Sequence, residues 1–225
     1  VKLGAVAGML NFNQRDEVLT HSIGLIKPKL IVTSAESVAA LETTPYSPLH
    51  STGTGPSTGN GIWHYWLANT APGSAGLERP AGYSDLEQEI RSQPDHNPAS
   101  TLRVKMKQPC FYIFTSGTTG MPKASVMTHY RWLQGMAGMG QLTLRLHPDD
   151  VLYTPLPLYH NNALTVSWAT VLGAGACLAL ARKFSASGFW NDIRQHNATA
   201  FCYIGELCRY LLNQPPSSQD RNHKV

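Results

Sequence analysis

Charge is what this chain has least of. Only 14% of its 225 residues are Asp, Glu, Lys or Arg, against about 25% in an ordinary globular domain. So low a share fits a piece of chain that lies largely inside a bigger protein. The balance is a mild +4, and the basic residues are scattered with no run of five. That pattern does not favour a nucleic-acid partner. Cysteine is sparse too. Cys110, Cys177, Cys202 and Cys208 form no C-x-x-C pair and sit in apolar stretches. They read as reduced core thiols of a cytosolic protein rather than a disulfide framework or a metal cage. The nine histidines lack H-E-x-x-H or Cys/His spacing, which leaves no zinc site in view. The chain opens on Val1-Lys2, with no basic segment leading into an apolar one and a cleavage site, so no signal peptide is expected.

A long apolar run is nearly absent. Ala163 to Ala181 is nineteen uncharged residues, close to the ~20 a membrane helix needs. Gly173 and Gly175 break it, so it reads as a buried helix, a glycine turn and a buried strand.

What is present is apolar material, 42% of the chain, enough for a sizeable core in one domain or a domain plus part of another. Ala5 to Leu10 is a short apolar run. Asp16 to Ile26 has Val18, Leu19, Ile23 and Ile26 at helical spacing with acids at its start, and Lys27-Pro28-Lys29 ends it. Leu30 to Val32 predicts a short buried strand and Ser37 to Leu41 a short helix. Pro45 to Gln108 reads as mostly loop, since fourteen of its 64 residues are Pro or Gly. Ile62 to Leu67 interrupts it with strand propensity, its aromatics serving packing. From Cys110 the alternation sharpens. Strands are predicted at Cys110–Phe114, Val151–Thr154, Ala176–Ala181 and Ala198–Ile204. Helices are predicted at His129–Met139, Ala163–Leu172, from a Ser185 N-cap to Asn197, and at Glu206–Asn213 before Pro215-Pro216. The fold class is α/β, a mostly parallel sheet with flanking helices.

One segment carries chemistry: Tyr112-Ile113-Phe114-Thr115-Ser116-Gly117-Thr118-Thr119-Gly120-Met121-Pro122-Lys123. A buried strand delivers the chain to a sheet end. Gly117 and Gly120, three apart, allow a sharp turn with exposed N–H groups. The hydroxyls of Thr115, Ser116, Thr118 and Thr119 add donors, and Lys123 adds a cation. Such a donor cluster suits a polyphosphate. It is neither a Walker loop, which needs G-x-x-x-x-G-K-[ST], nor a G-x-G-x-x-G fingerprint.

Thr115 to Lys123 resembles the signature loop of the adenylate-forming (AMP-binding) superfamily, which includes acyl-CoA synthetases, luciferases and peptide-synthetase adenylation domains. Leu156 to Ala163, with Tyr159 and His160, resembles the next motif, along the acyl-substrate side of the site. Lys183 to Ser187, Phe189-Trp190, Tyr203-Ile204-Gly205-Glu206 and Arg209-Tyr210-Leu211 resemble the fatty acid transport protein branch. That branch comprises long- and very-long-chain acyl-CoA synthetases. Met127 to Leu133 is similar to its mycobacterial members, and Ala5 to Arg15, with Leu10-Asn11-Phe12-Asn13-Gln14-Arg15, resembles an Asn-rich stretch of the family ending in Arg.

The resemblance implies that Thr115 to Gly120, with Tyr112 to Phe114 leading in and Met121-Pro122 leading out, wraps the ATP phosphates. It implies charge stabilisation by Lys123, and an acyl-side wall including Tyr159, His160, Tyr203 and Gly205. ATP, Mg²⁺ and CoA are the implied cofactors and co-substrates, and a long-chain fatty acid the implied substrate. The location implied is cytoplasmic, with peripheral contact at the inner face of the cell membrane. Three features of that superfamily find no match: an aromatic-Gly-x-Thr-Glu motif whose acid helps hold Mg²⁺, a ribose-binding Thr-Gly-Asp, and a C-terminal subdomain with a catalytic lysine. Glu206 reads as a helix-start acid, because Tyr-Ile-Gly-Glu is not that downstream motif. Residues 1–225 are therefore expected to be part of the large N-terminal domain of a fatty acid–CoA ligase, inactive alone. The alternatives are a nucleotide- or acyl-binding remnant without turnover, and an inert remnant that does not fold.

Overall fold

The computed structural model describes residues 1–50, 61–68, 78–115 and 120–225. The chain forms two compact units, Val1–Val104 with Phe114–Ser125, and Lys105–Ile113 with Val126–Val225.

In the first unit, strand β1 (Ala7–Met9) leads to helix α1 (Asp16–Ile26). Asp16 and Glu17 occupy the positive end of its dipole, and Leu19, Ser22 and Ile23 form its buried stripe. Lys27 ends the helix in the left-handed conformation at φ 46°, its N–H donating to the Ile23 carbonyl, and Pro28 cannot continue the turn. Strand β2 (Leu30–Ser34) follows, then α2 (Val38–Glu42). Only one face of β2 is packed: Ile31 and Thr33 are buried, Leu30 and Val32 exposed. The strand expected to be buried throughout is thus half-buried, with the period of two that one covered face imposes.

The stretch expected to be mostly loop contributes two strands to a sheet. Strand β3 (Trp63–Leu67) lies between β2 and β4 (Ser84–Asp85), all parallel, with Leu30 opposite Trp63 and Tyr65 opposite Ser84. Helix α3 (Leu86–Arg91) starts at once, capped by the Asp85 carboxylate accepting from the Gln88 N–H at 3.0 Å. Its sequence shows no apolar periodicity, since it buries no residue. The core of this unit joins Leu19, Ile23, Ile31, Leu41, Ile62, Trp66 and Tyr83.

Strands β5 (Pro109–Thr115) and β6 (Lys123–Thr128) each pass from one unit to the other and are neighbours in one sheet. Contacts of Cys110 with the Met127 carbonyl at 3.3 Å and Thr115 with the Lys123 carbonyl at 3.5 Å run in opposite senses, as in a hairpin. This hairpin departs from the parallel pattern, and β6 was not anticipated because Lys-Ala-Ser-Val-Met-Thr carries no apolar run.

The second unit opens with α4 (His129–Gly135), capped by Thr128 accepting from the Arg131 N–H. It widens into a π-helix, Met136–Leu144, that ends at Arg145 with φ 51°. A second π-helix, Asn162–Ala169, runs into α5 (Thr170–Ala174). Gly140 packs against this stretch so closely that an added Cβ would stand 2.8 Å from the Thr170 carbonyl oxygen. Gly175, at φ 69°, turns the chain into β8 (Cys177–Leu180). The expected helix, glycine turn and strand over Ala163–Ala181 are therefore all present, but the strand expected to be buried is a mostly exposed edge strand. No described helix is long and apolar enough to cross a membrane. Cys177 is exposed although it shares a strand face with buried Ala179, because it is the first residue of an edge strand. It is not the core thiol its apolar neighbours suggested.

Strand β7 (Val151–Thr154) is central, parallel to β8 and to β9 (Ala200–Phe201), with Tyr153 opposite both Ala179 and Phe201. Strand β9 is far shorter than predicted, because the chain leaves the ladder after Cys202 and Gly205 opens α7 (Gly205–Leu212). Helix α6 (Phe189–Gln195) begins four residues after Ser185, whose hydroxyl instead caps the preceding turn at the Gly188 N–H, 3.1 Å away. Tyr153, Ala179, Phe189, Ile193 and Ala198 form the core between α6 and the sheet.

Candidate functional site

The loop after β5 is described at both of its ends. Cys110, Phe111, Ile113 and Phe114 are buried and Tyr112 half-buried, so the strand is an anchored stem. Thr115, its last residue, is exposed, and its hydroxyl donates to the Lys123 carbonyl at 3.5 Å. Ser116, Gly117, Thr118 and Thr119, four of the predicted phosphate-binding residues, lie outside the described residues. Gly120 has φ +95°, with open space where a Cβ would stand. A side chain strains that backbone, so the predicted need for glycine has a conformational cause there. Met121 is exposed and Pro122 buried. The Pro122 carbonyl accepts a 3.0 Å hydrogen bond from His21 Nε2 on α1. His21 thus braces the end of the loop. As a lone histidine on a helix it gave no signal in the sequence. Lys123 opens β6 with its side chain exposed.

Together these features hold the two described ends of the loop, with a cation at its exit. The positive-φ backbone at Gly120 and the exposed Lys123 suit a polyphosphate, which demands donors and positive charge, while the Thr115 hydroxyl is already engaged by the Lys123 carbonyl.

The predicted acyl-side residues all belong to the second unit, whereas Thr115 and Lys123 belong to the first. Parallel pairing of β7 and β9 brings the chain that follows each strand to the same sheet end, where ligands of open α/β sheets bind. After β7 come half-buried Tyr159 and exposed His160, their ring centroids 4.6 Å apart. The His160 N–H donates to the Pro157 carbonyl, and its own carbonyl accepts from the Leu164 N–H, each at 3.0 Å. After β9 come exposed Tyr203, 5.8 Å from the Phe201 ring, and exposed Gly205 at the start of α7. The Cys202 N–H donates to the Tyr153 carbonyl and its thiol to Asn162 Oδ1, both at 2.9 Å. Cys202 is a supporting residue that no sequence motif singled out, and Asn162 lies inside the Leu156–Ala163 motif without having been given a role there.

At the opposite end of β7, Asp150 is held below its ordinary range by the His147 N–H and the Thr199 hydroxyl. That network pins the strand starts. The Glu206 carboxylate is ion-paired with Arg209, which lowers its pKa. Among the described residues no group of three or more His, Cys, Asp or Glu is placed to hold a metal ion. With Glu206 so engaged, the described residues do not fit a protein-held Mg²⁺. A groove of about 770 Å³ beside α6 and α7, lined by Trp190, Phe201, Leu211 and Pro215 among others, contains none of the predicted site residues.

Known proteins extend the picture. Over its full length the chain is 47% identical to the medium/long-chain-fatty-acid–CoA ligase FadD6 of Mycobacterium tuberculosis, covering 34% of that protein. It is 36% identical to human long-chain fatty acid transport protein 1, again over all of this chain and 32% of the relative. The chain thus spans about a third of the length of these curated relatives. Among solved structures, the N-terminal domain of FACL13 from Mycobacterium tuberculosis superposes with a TM-score of 0.69 at 22% identity, over 95% of this chain and 47% of that one. The anthranilate CoA ligase AuaEII gives 0.72 at 20% identity, over 89% and 35%. At such identities these two show a shared fold. The family model for AMP-binding enzymes matches residues 1–225, and with the fold and the relatives in agreement, this chain belongs to the AMP-binding enzyme family.

Proposed function

We propose that the protein carrying this segment is an AMP-forming fatty acid–CoA ligase of the long- or very-long-chain class, and that the segment supplies its grip on the ATP phosphates. The relatives' names, medium/long-chain-fatty-acid–CoA ligase and long-chain fatty acid transport protein, support the substrate class. One observation carries the residue assignment: a buried strand ends at an open glycine turn, and an exposed lysine follows it.

The reaction has two steps. The fatty carboxylate attacks the α-phosphate of ATP, forming acyl-AMP and releasing pyrophosphate. The CoA thiol then attacks the acyl carbon, the bond to the AMP phosphate oxygen breaks, and the thioester forms. Thr115 to Gly120 hold the phosphates through backbone and hydroxyl donors, and Lys123 offsets charge as pyrophosphate departs. Tyr159, His160, Tyr203 and Gly205 line the acyl side. Mg²⁺ normally accompanies ATP in such chemistry, but no step here is routed through it. A transport protein among the relatives supports a place at the inner face of the membrane, where esterified acid stays trapped.

A second reading, nucleotide binding without turnover, applies to the segment alone, which spans about a third of the length of its relatives. One experiment separates the two. Purified protein of the relatives' full length, carrying this segment, is given ATP, Mg²⁺ and palmitate, and ATP–pyrophosphate exchange is measured, then acyl-CoA after CoA is added. Exchange dependent on the acid is expected, and residues 1–225 alone should give no acyl-CoA. A full-length protein that binds ATP yet shows no exchange with any fatty acid would sink the ligase reading.

A further inference from the structure

The chains leaving β7 and β9 are tied together by one polar contact. Cys202 Sγ donates to Asn162 Oδ1 at 2.9 Å. The thiol is only 8% exposed and packs in a cluster with Leu156 and Ala163, with Leu158, Val166 and Leu207 around them. A thiol is a weak donor, but water does not compete in such a pocket, and the low local dielectric strengthens the bond. Burial pushes the Cys202 pKa up, more than the Ser167 and Thr154 side chains pull it down. The sulfur therefore keeps its hydrogen at neutral pH, and Cys202 is unsuited to act as a nucleophile.

Asn162 is where the second π-helix begins, and short π segments concentrate at functional positions. Its neighbour Asn161 accepts from the Thr165 hydroxyl at 2.7 Å. The pair is thus clamped from two sides, by the helix it opens and by the residue after β9. Immediately before it stand Tyr159 and His160, and the His160 carbonyl is fixed by the Leu164 N–H.

We propose that Cys202 is a positioning residue for acyl-substrate binding: its thiol holds Asn162, and through Asn162 it sets the placement of the Tyr159–His160 pair. The inference rests on the reading of this loop as the acyl side. Its first consequence is a split in kinetic effects. Losing the donor loosens the acyl side without touching the phosphate loop, so the fatty acid suffers and ATP does not.

The test uses full-length protein carrying this segment, in wild-type, Cys202→Ala, Cys202→Ser and Asn162→Ala forms. Cys202→Ala should raise the KM for palmitate about tenfold, with the KM for ATP and kcat within twofold. Cys202→Ser restores a donor at similar size and should return the palmitate KM to within threefold of wild type. Amide hydrogen exchange at Leu164 should quicken about fivefold in Cys202→Ala and Asn162→Ala but not in Cys202→Ser, as expected for losing one hydrogen bond of ordinary net strength. If Cys202→Ser matches Cys202→Ala in both readouts, packing and not the donor matters, and the proposal falls. Equal changes in the palmitate and ATP KM values also overturn it. If wild type activates no fatty acid, the ligase reading fails, and the exchange pattern still decides whether the tether exists. Should Cys202→Ala fail to fold, the half-buried Asn162 supplies the deciding variant from the other side of the bond.

Discussion

Tyr153 donates its phenolic hydrogen to Asp192 Oδ2 at 2.7 Å, joining the central strand of the second unit's sheet to helix α6. The ring is 1% exposed and meets Phe189 edge to face at 5.3 Å. Tyr153→Phe keeps the ring contacts and removes the bond. A hydrogen bond to a charged group is worth about 1.5–3 kcal/mol, and partly exposed Asp192 regains water, so a loss of about 1.5 kcal/mol is expected in urea unfolding. Burial first, then Asp192, raises the Tyr153 pKa. The folded state thus keeps its proton where the unfolded state loses it. Stability from this group is full below about pH 10 and falls as pH rises toward the folded pKa. Tyr83 in the first unit is raised in the same direction. The check is therefore the difference between variant and wild type, which should shrink above pH 10. A difference that grows with pH would contradict the assignment.

His64 is fully buried on β3, edge to face with Tyr83 at 5.8 Å, with neither ring nitrogen hydrogen-bonded. Burial lowers its pKa. Below the ordinary value near 6.5, the unfolded chain takes up a proton that the folded chain refuses, so this group costs stability as pH falls from about 6.5. His64→Phe removes the titration. It should flatten the pH dependence of thermal unfolding between roughly pH 5 and 7, and wild-type curves parallel to the variant's would count against a neutral buried imidazole.

Gly138 and Gly140 sit in the same π-helix but face different surroundings. A Cβ at Gly138 meets nothing within 4 Å, whereas one at Gly140 would stand 2.8 Å from a backbone oxygen of Thr170. Gly140→Ala must push two packed helices apart, at about 1–3 kcal/mol. Gly138→Ala should be neutral or stabilising by about 0.5–1 kcal/mol, since alanine loses less backbone entropy in a helix. Unfolding of the two single variants tests the opposite signs. Equal effects would refute the close packing.

The residues that were legible in the sequence share a cause. Helix α1, strand β5 and the Ala163–Ala181 stretch bury apolar residues with a clear period or a clean break, so their pattern follows from what they pack against. Strand β6 and helix α3 were missed because they bury almost nothing and so write no period into the chain. The close approach of Gly140 to the Thr170 backbone is a tertiary fact invisible to local spacing. The proposed phosphate loop stands out in the sequence because the chemistry proposed for it needs fixed residue types at fixed spacing. His21 lies 101 residues from the Pro122 carbonyl it holds, and Cys202 lies 40 residues from Asn162, and no motif encodes such a distance.

Lys123 and Gly120 allow charge and conformation at the phosphate loop to be tested apart. The Lys123 side chain is exposed, and the bond from Thr115 goes to its carbonyl rather than to its amine. Lys123→Ala should therefore leave the hairpin intact, with stability within about 0.5 kcal/mol. What it removes, on the proposed role of Lys123, is a positive charge that offsets charge growing as pyrophosphate leaves. Losing one such preorganised partner lowers the rate by ~10²-fold, and full-length protein carrying Lys123→Ala should show that fall in ATP–pyrophosphate exchange. Gly120→Ala acts differently. Among the described residues other than its chain neighbours no atom lies within 4 Å of the new methyl, so the effect expected there is backbone strain at φ +95°. A strain of about 1–2 kcal/mol either destabilises the folded chain or moves the turn, and in the second case weakens ATP binding about tenfold. The two variants should thus separate, one losing rate with stability kept, the other losing stability or ATP affinity. If Lys123→Ala exchanges pyrophosphate at the wild-type rate, the cation is not part of the chemistry, and the loop's role reduces to its backbone and hydroxyls.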